Sequence, residues 1–215
     1  MCGRFVIDDN GDIAEMRRIF DELKKHYNDT LEFQNVKRGE IYPSDTVPVI
    51  IPEKELKIDA VPMRWGITNK YDSKLLINAR SEGIYEKAMF KDSIKNKRCV
   101  IPSNGFFEWA RFSERSVKEK FLIKPAHSPM LYFAGIYEKF PNPDPDALDK
   151  EQARFVIMTR EAMGNALRSI HHRMPVIVEL KDILKWLNGS KNDIAEIYTN
   201  PAVPEYTFTN LGNVG

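Results

Sequence analysis

Cysteine is scarce in this sequence: Cys2 and Cys99 are the only two in 215 residues. No disulfide framework is available to them, and a reducing compartment fits. Long apolar runs are missing as well, and the start MCGRFVIDDN lacks a basic segment followed by an apolar one. The expectation is a protein neither secreted nor membrane-bound. Charge of one sign is also lacking: the formal net charge is +1, so the surface as a whole is not built to coat a duplex. Locally, Lys87 to Lys124 carries ten basic residues against four acidic ones. That excess can follow a phosphate backbone, although charge alone favours a solvated lysine-rich surface. Histidine is limited to four residues, with no C-x-x-C or H-E-x-x-H spacing. His26 and His127 lie far from the pair His171-His172, so neither a metal nor a cofactor is expected.

What is present reads as one globular domain, with 42% hydrophobic and 29% charged residues. Residues 2–7 have the content of a short strand, and Asp9 or Asn10 can cap a helix with Ile13, Met16, Phe20 and Leu23 at helical spacing. Residues 28–46 read as irregular. Apolar runs follow at 47–52, 56–61 and 76–79, the last leading into a helix through Tyr85 and Phe90. Strands are predicted at 98–101, 105–111, 121–125, 131–138 and 155–159, with a Pro/Asp-rich loop over 141–152. Helical patterns cover 161–170 and 181–199, and YTFTNLGNV adds a last strand. The fold class expected is α+β, a single domain with a mainly antiparallel, barrel-like sheet and flanking helices.

Cys2 stands on unusual chemical ground. Aminopeptidases generally remove Met1 when the next residue is small, which leaves an α-amine and a thiol on adjacent carbons. The α-amine has an ordinary pKa of about 7.7–8.0, against about 10.4 for lysine, so much more of it is neutral near pH 7. A neutral amine attacks an aldehyde to give a Schiff base, and the thiol can then close a five-membered thiazolidine. By itself the residue is equally a plain first-strand cysteine; its surroundings in sequence decide.

Met1-Cys2-Gly3-Arg4-Phe5, Met63-Arg64-Trp65-Gly66 and Ile77-Asn78-Ala79-Arg80-Ser81-Glu82 are followed by Arg98-Cys99-Val100-Ile101-Pro102 and Gly105-Phe106-Phe107-Glu108-Trp109. Phe155 to Thr159, His171-His172-Arg173-Met174-Pro175 and Gly212-Asn213-Val214 complete a series that covers nearly the whole chain. In this order they resemble the SOS response-associated peptidase family, the abasic site processing proteins. The resemblance implies a monomeric partner of single-stranded DNA containing abasic sites. It further implies that the ring-opened aldehyde is trapped as a covalent crosslink at Cys2, which autoproteolytic removal of Met1 exposes. A cytoplasmic, nucleoid-associated location in a prokaryote, or a nuclear one in a eukaryote, goes with it.

With the resemblance in hand, Glu108 is assigned as general acid/base, its carboxyl on the strand face opposite Phe107 and Trp109. His171, expected near neutral pKa, is assigned to protonate the sugar ring oxygen, while His172 is read as a loop residue pointing elsewhere. Asn78 can orient the Cys2 amine or a sugar hydroxyl. Arg4, Arg80, Arg173 and Thr159 are placed on phosphates, with an Arg80–Glu82 ion pair as the structural alternative. Trp65, Trp109 and the thiol of Cys99 are read as core.

Two departures from the family pattern concern the DNA path. After Trp65-Gly66, residues 67–74 offer only Tyr71 where relatives carry further tryptophans. In Arg38-Gly39-Glu40-Ile41-Tyr42-Pro43, Glu40 replaces an asparagine and puts an acid where a phosphate contact is expected. The rival functions are an N-terminal-nucleophile cysteine amidohydrolase, whose relatives also begin Met-Cys-Gly, a nucleic-acid-binding module without chemistry, and a protease acting on other proteins.

Overall fold

In the computed structural model of the chain, residues 2–8, 13–53, 58–69, 73–110, 118–142, 150–199 and 204–214 are described. Strand β1 (Arg4–Ile7) precedes helix α1 (Ala14–Tyr27), short helix α2 (Leu31–Gln34), and strands β2 (Gly39–Ile41), β3 (Thr46–Pro52) and β4 (Ile58–Trp65). Next come β5 (Ile67–Thr68), β6 (Leu75–Leu76), β7 (Asn78–Arg80) and helix α3 (Ser93–Asn96). Then follow β8 (Arg98–Ser103), β9 (Gly105–Ala110), β10 (Lys118–Pro125), β11 (Leu131–Pro141) and β12 (Glu151–Glu161). Helix α4 (Asn165–Ile170), β13 (Arg173–Pro175), helices α5 (Ile183–Asn188) and α6 (Lys191–Thr199), and β14 (Tyr206–Val214) end the order.

Strands β11, β8, β3, β4 and β12 close on themselves, because β11 pairs with β12 as well as with β8. Every pairing in this barrel is antiparallel except β12 with β4. Closure brings backbones close. A Cβ at Gly135 would sit 2.4 Å from Ile101 Cδ1, 2.9 Å from the Cys99 sulfur and 3.2 Å from the Val156 carbonyl oxygen, so any other residue there would force the packed side chains to shift. A second, wholly antiparallel sheet runs β14-β10-β9-β1-β2. The two are joined by aromatics: Phe5 packs edge-on to Trp65 (centroids 5.0 Å apart) and to Phe133, and Phe106 packs edge-on to Phe133. These rings are fully buried and anchor β1 and β9, hence Cys2 and Glu108, against the barrel.

Strand β12 is eleven residues long and outgrows the barrel. Its first half pairs with β11 and β4; its second half pairs in parallel with β7 and antiparallel with β13. Asn78, Arg80, Thr159 and Arg173 are thereby gathered on neighbouring strands.

The α+β class and barrel-like sheet agree with the sequence expectation. In α1, Met16, Phe20 and Leu23 face the core, as the spacing predicts; the proposed Asp9 or Asn10 cap lies outside the described residues. Residues 28–46 are more ordered than expected, holding α2 and β2. Thr30 caps α2 by accepting from the Phe33 amide. No helix runs through Tyr85 and Phe90. Residues 81–92 form successive turns, including Ile84 to Ser81 and Phe90 to Lys87 backbone bonds, before the single turn of α3. The 141–152 stretch is entered and left by the β11–β12 hairpin, which pairs Pro141 with Glu151.

Candidate active site around Cys2

Cys2 immediately precedes β1, where Phe5 and Ile7 point inward. It is fully buried, and its thiol lies 3.6 Å from the Arg4 carbonyl, to which it donates. Burial, with the Glu108 carboxyl nearby, raises the thiol pKa far above its ordinary value. In the unprocessed chain the Cys2 nitrogen is an amide, so the aminothiol exists only after Met1 leaves. Asn78, on β7, donates from Nδ2 to the Cys2 carbonyl over 2.9 Å. Its Oδ1 is buried with no hydrogen-bond partner among the described residues, an acceptor left open beside Cys2.

Glu108 belongs to β9, whose register sets Arg4 opposite Phe107. Continued toward the N-terminus, that ladder runs Cys2 and Gly3 toward Glu108. The strand's alternation turns the Glu108 side chain inward, 3% exposed, while Phe107 and Trp109 take the opposite face. Burial pushes its carboxyl up to about 7, within reach of neutral-pH proton transfer.

His171 follows the end of α4 in extended conformation, and its Nδ1 lies 4.0 Å from Glu108 Oε1. The same Nδ1 accepts the Arg173 amide N–H at 2.9 Å. This leaves the imidazole proton on Nε2. Burial lowers the His171 pKa to about 4, so the ring is neutral at physiological pH, not the near-neutral acid expected from sequence. His172 does not point elsewhere. A bend at this residue folds its ring onto that of His171, centroids 4.5 Å apart.

The arginines divide. Arg80 is exposed and borders a cleft of about 420 Å³ with Glu161, Ala162, Arg168, His172 and Arg173. Its sequence-proposed partner Glu82 instead takes both ends of the Arg173 guanidinium at 2.7 and 2.9 Å, and this pairing holds the Glu82 carboxyl down to about 2. Arg173 also donates to the Thr159 carbonyl, and Thr159 is fully buried. Thr159 and Arg173 thus help frame the site, and Arg173 also lines the cleft beside Arg80. Arg4 is partly exposed but pairs with Glu40 at 2.8 Å.

Trp65 is core and donates to the Ile77 carbonyl. Trp109 is not core: it shares the outer sheet face with Phe107, and Arg4 and Lys120 lie near its ring. Cys99 is buried and its thiol pKa is raised by burial. Tyr71 lies outside the described residues, as do Arg111, Glu114 and Arg115 of the basic stretch. Within that stretch Lys97 pairs with Glu138 and Arg98 is buried, so it is not one open patch. Among the described residues one trio, Glu22, His26 and Asp59, could converge on a metal ion; it lies on α1 and β4 and includes none of the site residues. Sequence reasoning passed over Lys120, Arg168 and the Glu82–Arg173 pair, because each depends on strands brought together from distant positions.

A family model described as SOS response associated peptidase (SRAP) matches residues 1–211. The abasic site processing protein YoqW of Bacillus subtilis is 31% identical over 203 residues, covering 90% of this chain and 83% of that protein. The abasic site processing protein HMCES of Pongo abelii is 29% identical over 190 residues, covering 69% of this chain and 52% of that protein. In structure, a phage-related protein from Bordetella bronchiseptica superposes with a TM-score of 0.68 at 21% identity, over 98% of this chain and 94% of that one, a likeness of fold.

Proposed function

This chain belongs to the SOS response associated peptidase family, and we propose that it processes abasic sites in single-stranded DNA by capturing them covalently on Cys2. The observation that carries this reading is the convergence on Cys2 of a hydrogen-bonding Asn78 and a buried Glu108 that titrates near 7. Hydrolysis of the Met1–Cys2 bond, carried out by the chain itself, frees the α-amine. The neutral amine attacks the aldehyde carbon of the ring-opened sugar and gives a carbinolamine. Glu108 donates its proton to the carbinolamine hydroxyl, which departs as water and leaves an iminium. The Glu108 carboxylate then takes the thiol proton, which restores its protonated form, and the sulfur bonds to the iminium carbon to close the neutral thiazolidine.

A neutral His171 with its proton on Nε2 assists ring opening as a hydrogen-bond donor to the sugar oxygen. Asn78 Oδ1 is the acceptor for the freed amine or a sugar hydroxyl. Arg80, with Arg168 and His172 in the adjoining cleft, offers donors to phosphates flanking the lesion. A flipped-out sugar enters such a site from a single strand more readily than from a duplex. Arg4 also serves the DNA backbone. The chain acts as a monomer.

Intact-mass analysis with and without an abasic oligonucleotide tests the proposal. The expected species are a chain lacking Met1 and an adduct one water lighter than chain plus oligonucleotide. A rival amidohydrolase would instead turn over glutamine or another amide and show no stoichiometric adduct.

A further inference from the structure

The outer face of the β2-β1-β9-β10 sheet carries a built cluster that the capture chemistry does not use. Glu40 Oε1 accepts from Arg4 Nη1 at 2.8 Å, and both Glu40 oxygens accept from Lys120 Nζ at 2.7 Å. The three side chains come from three different strands and are braced by aromatic rings. The Arg4 guanidinium lies 3.7 Å from the centre of the Tyr42 ring, and the Lys120 ammonium 4.2 Å from that of Phe107. Two cations held on aromatic faces make an anion seat, and its present occupant is a carboxylate taking three hydrogen bonds. The unesterified oxygens of a phosphodiester would take the same donors. Arg4 is two residues from Cys2 along the chain, and the seat lies on the sheet face that carries Phe107, opposite the Glu108 side chain.

Resting on the proposed DNA reading, we propose that Arg4 and Lys120 form a phosphodiester seat on this outer sheet face and that Glu40 is its resident competitor. Glu40 cuts the seat's charge from two to one, and an incoming backbone phosphate must displace or share with it. As a stabilising feature the cluster explains little, because partly exposed ion pairs contribute only about 0–1 kcal/mol.

The test is equilibrium binding of an unmodified single-stranded oligonucleotide to the full chain across a salt series, using wild type, Glu40→Gln, Lys120→Ala and the double variant, with thermal melting as a folding control. Glu40→Gln is expected to bind roughly three- to tenfold tighter at low salt, with a salt slope steeper by about 0.7. Adding Lys120→Ala to Glu40→Gln weakens binding and cancels the gain. Unchanged or weaker binding by a folded Glu40→Gln chain overturns the seat. If the wild type still captures abasic DNA in that case, the loss falls on the seat alone; if no variant binds or captures DNA, the parent reading fails with it. Should Glu40→Gln melt early, the decision passes to Lys120→Ala, which must weaken wild-type binding for the seat to stand.

Discussion

Oε1 of Glu108 stands 4.0 Å from Nδ1 of His171, and the two groups titrate in the reverse of their usual order, the carboxyl near 7 and the imidazole near 4. Both shifts have burial as their leading cause, since a low-dielectric site penalises whichever form is charged. Between those values both side chains are neutral. The carboxyl thus becomes the group that exchanges protons near physiological pH, and the histidine becomes a fixed donor and acceptor.

Glu108 should therefore cost stability at alkaline pH. Its folded-state pKa is raised, so its favourable contribution is present below the unfolded value of about 4.5 and is lost as pH rises through about 7. Raising the carboxyl from about 4.5 to about 7 corresponds to roughly 3 kcal/mol. Glu108→Gln removes the ionisation, and its Tm should exceed that of wild type at pH 8 by several degrees while matching it at pH 5. Parallel Tm-against-pH curves for the two chains would refute the buried-carboxyl assignment.

Capture of an abasic oligonucleotide by the processed chain should follow a bell-shaped pH profile. The acid limb reports the α-amine, which must be neutral to attack and ordinarily titrates at about 7.7–8.0. The alkaline limb reports loss of the Glu108 proton. Because that group titrates near 7, below the amine, the limbs break at about 7 on the acid side and about 8 on the alkaline side. Single-turnover rates for Glu108→Gln are expected to fall roughly 10²–10⁴-fold and to lose the alkaline limb. A wild-type profile with an alkaline limb unchanged by the substitution assigns that limb elsewhere.

Strands with strong alternation are legible in the sequence. In 105–111 the inward Glu108 and outward Phe107 and Trp109 follow from period two alone. What alternation cannot supply is what covers the outer face, so Trp109 reads as core from its size and is instead flanked by Arg4 and Lys120. The turns over 81–92 hide behind helix-spaced Tyr85 and Phe90, where local propensity loses to tertiary packing of Ile84 and Phe90. Pairings such as Glu82 with Arg173, 91 positions apart, leave no local signal. Cys2 and Asn78 are likewise 76 apart; the motif resemblance marked both, and the folded strands account for their contact.

Arg98 illustrates the same limit on the stability side. It is buried, and its guanidinium donates to five carbonyls: Ile94 and Lys95 at α3, and Trp186, Leu187 and Gly189 at the end of α5. Helix C-terminal carbonyls favour a cation, which explains a buried arginine satisfied by backbone. Lysine has three donors on a shorter reach and must leave at least two of these carbonyls unmet. Arg98→Lys should cost roughly 3 kcal/mol. In a chain of this size that lowers Tm by about 6–12 °C. A shift under about 2 °C, well below that range, would show that water replaces the clamp.

Removal of the thiol separates capture from binding. Cys2→Ala keeps an α-amine after Met1 leaves, so a transient imine can still form, but no sulfur closes the ring and the persistent adduct should vanish. Because Cys2 is buried, the lost sulfur also leaves a small void, costing about 1 kcal/mol. Noncovalent, salt-sensitive affinity for single-stranded DNA is expected to remain, since Arg4 and Arg80 are untouched. Asn78→Ala provides the contrast: the thiol stays, but the Cys2 carbonyl loses its donor and the amine its positioning acceptor. That variant should reach the same adduct roughly 10- to 100-fold more slowly. Denaturing gels of abasic-oligonucleotide reactions, followed over time, distinguish the two. Undiminished crosslinking by Cys2→Ala removes Cys2 as the nucleophile, and a wild-type rate in Asn78→Ala reduces Asn78 to a brace for the backbone.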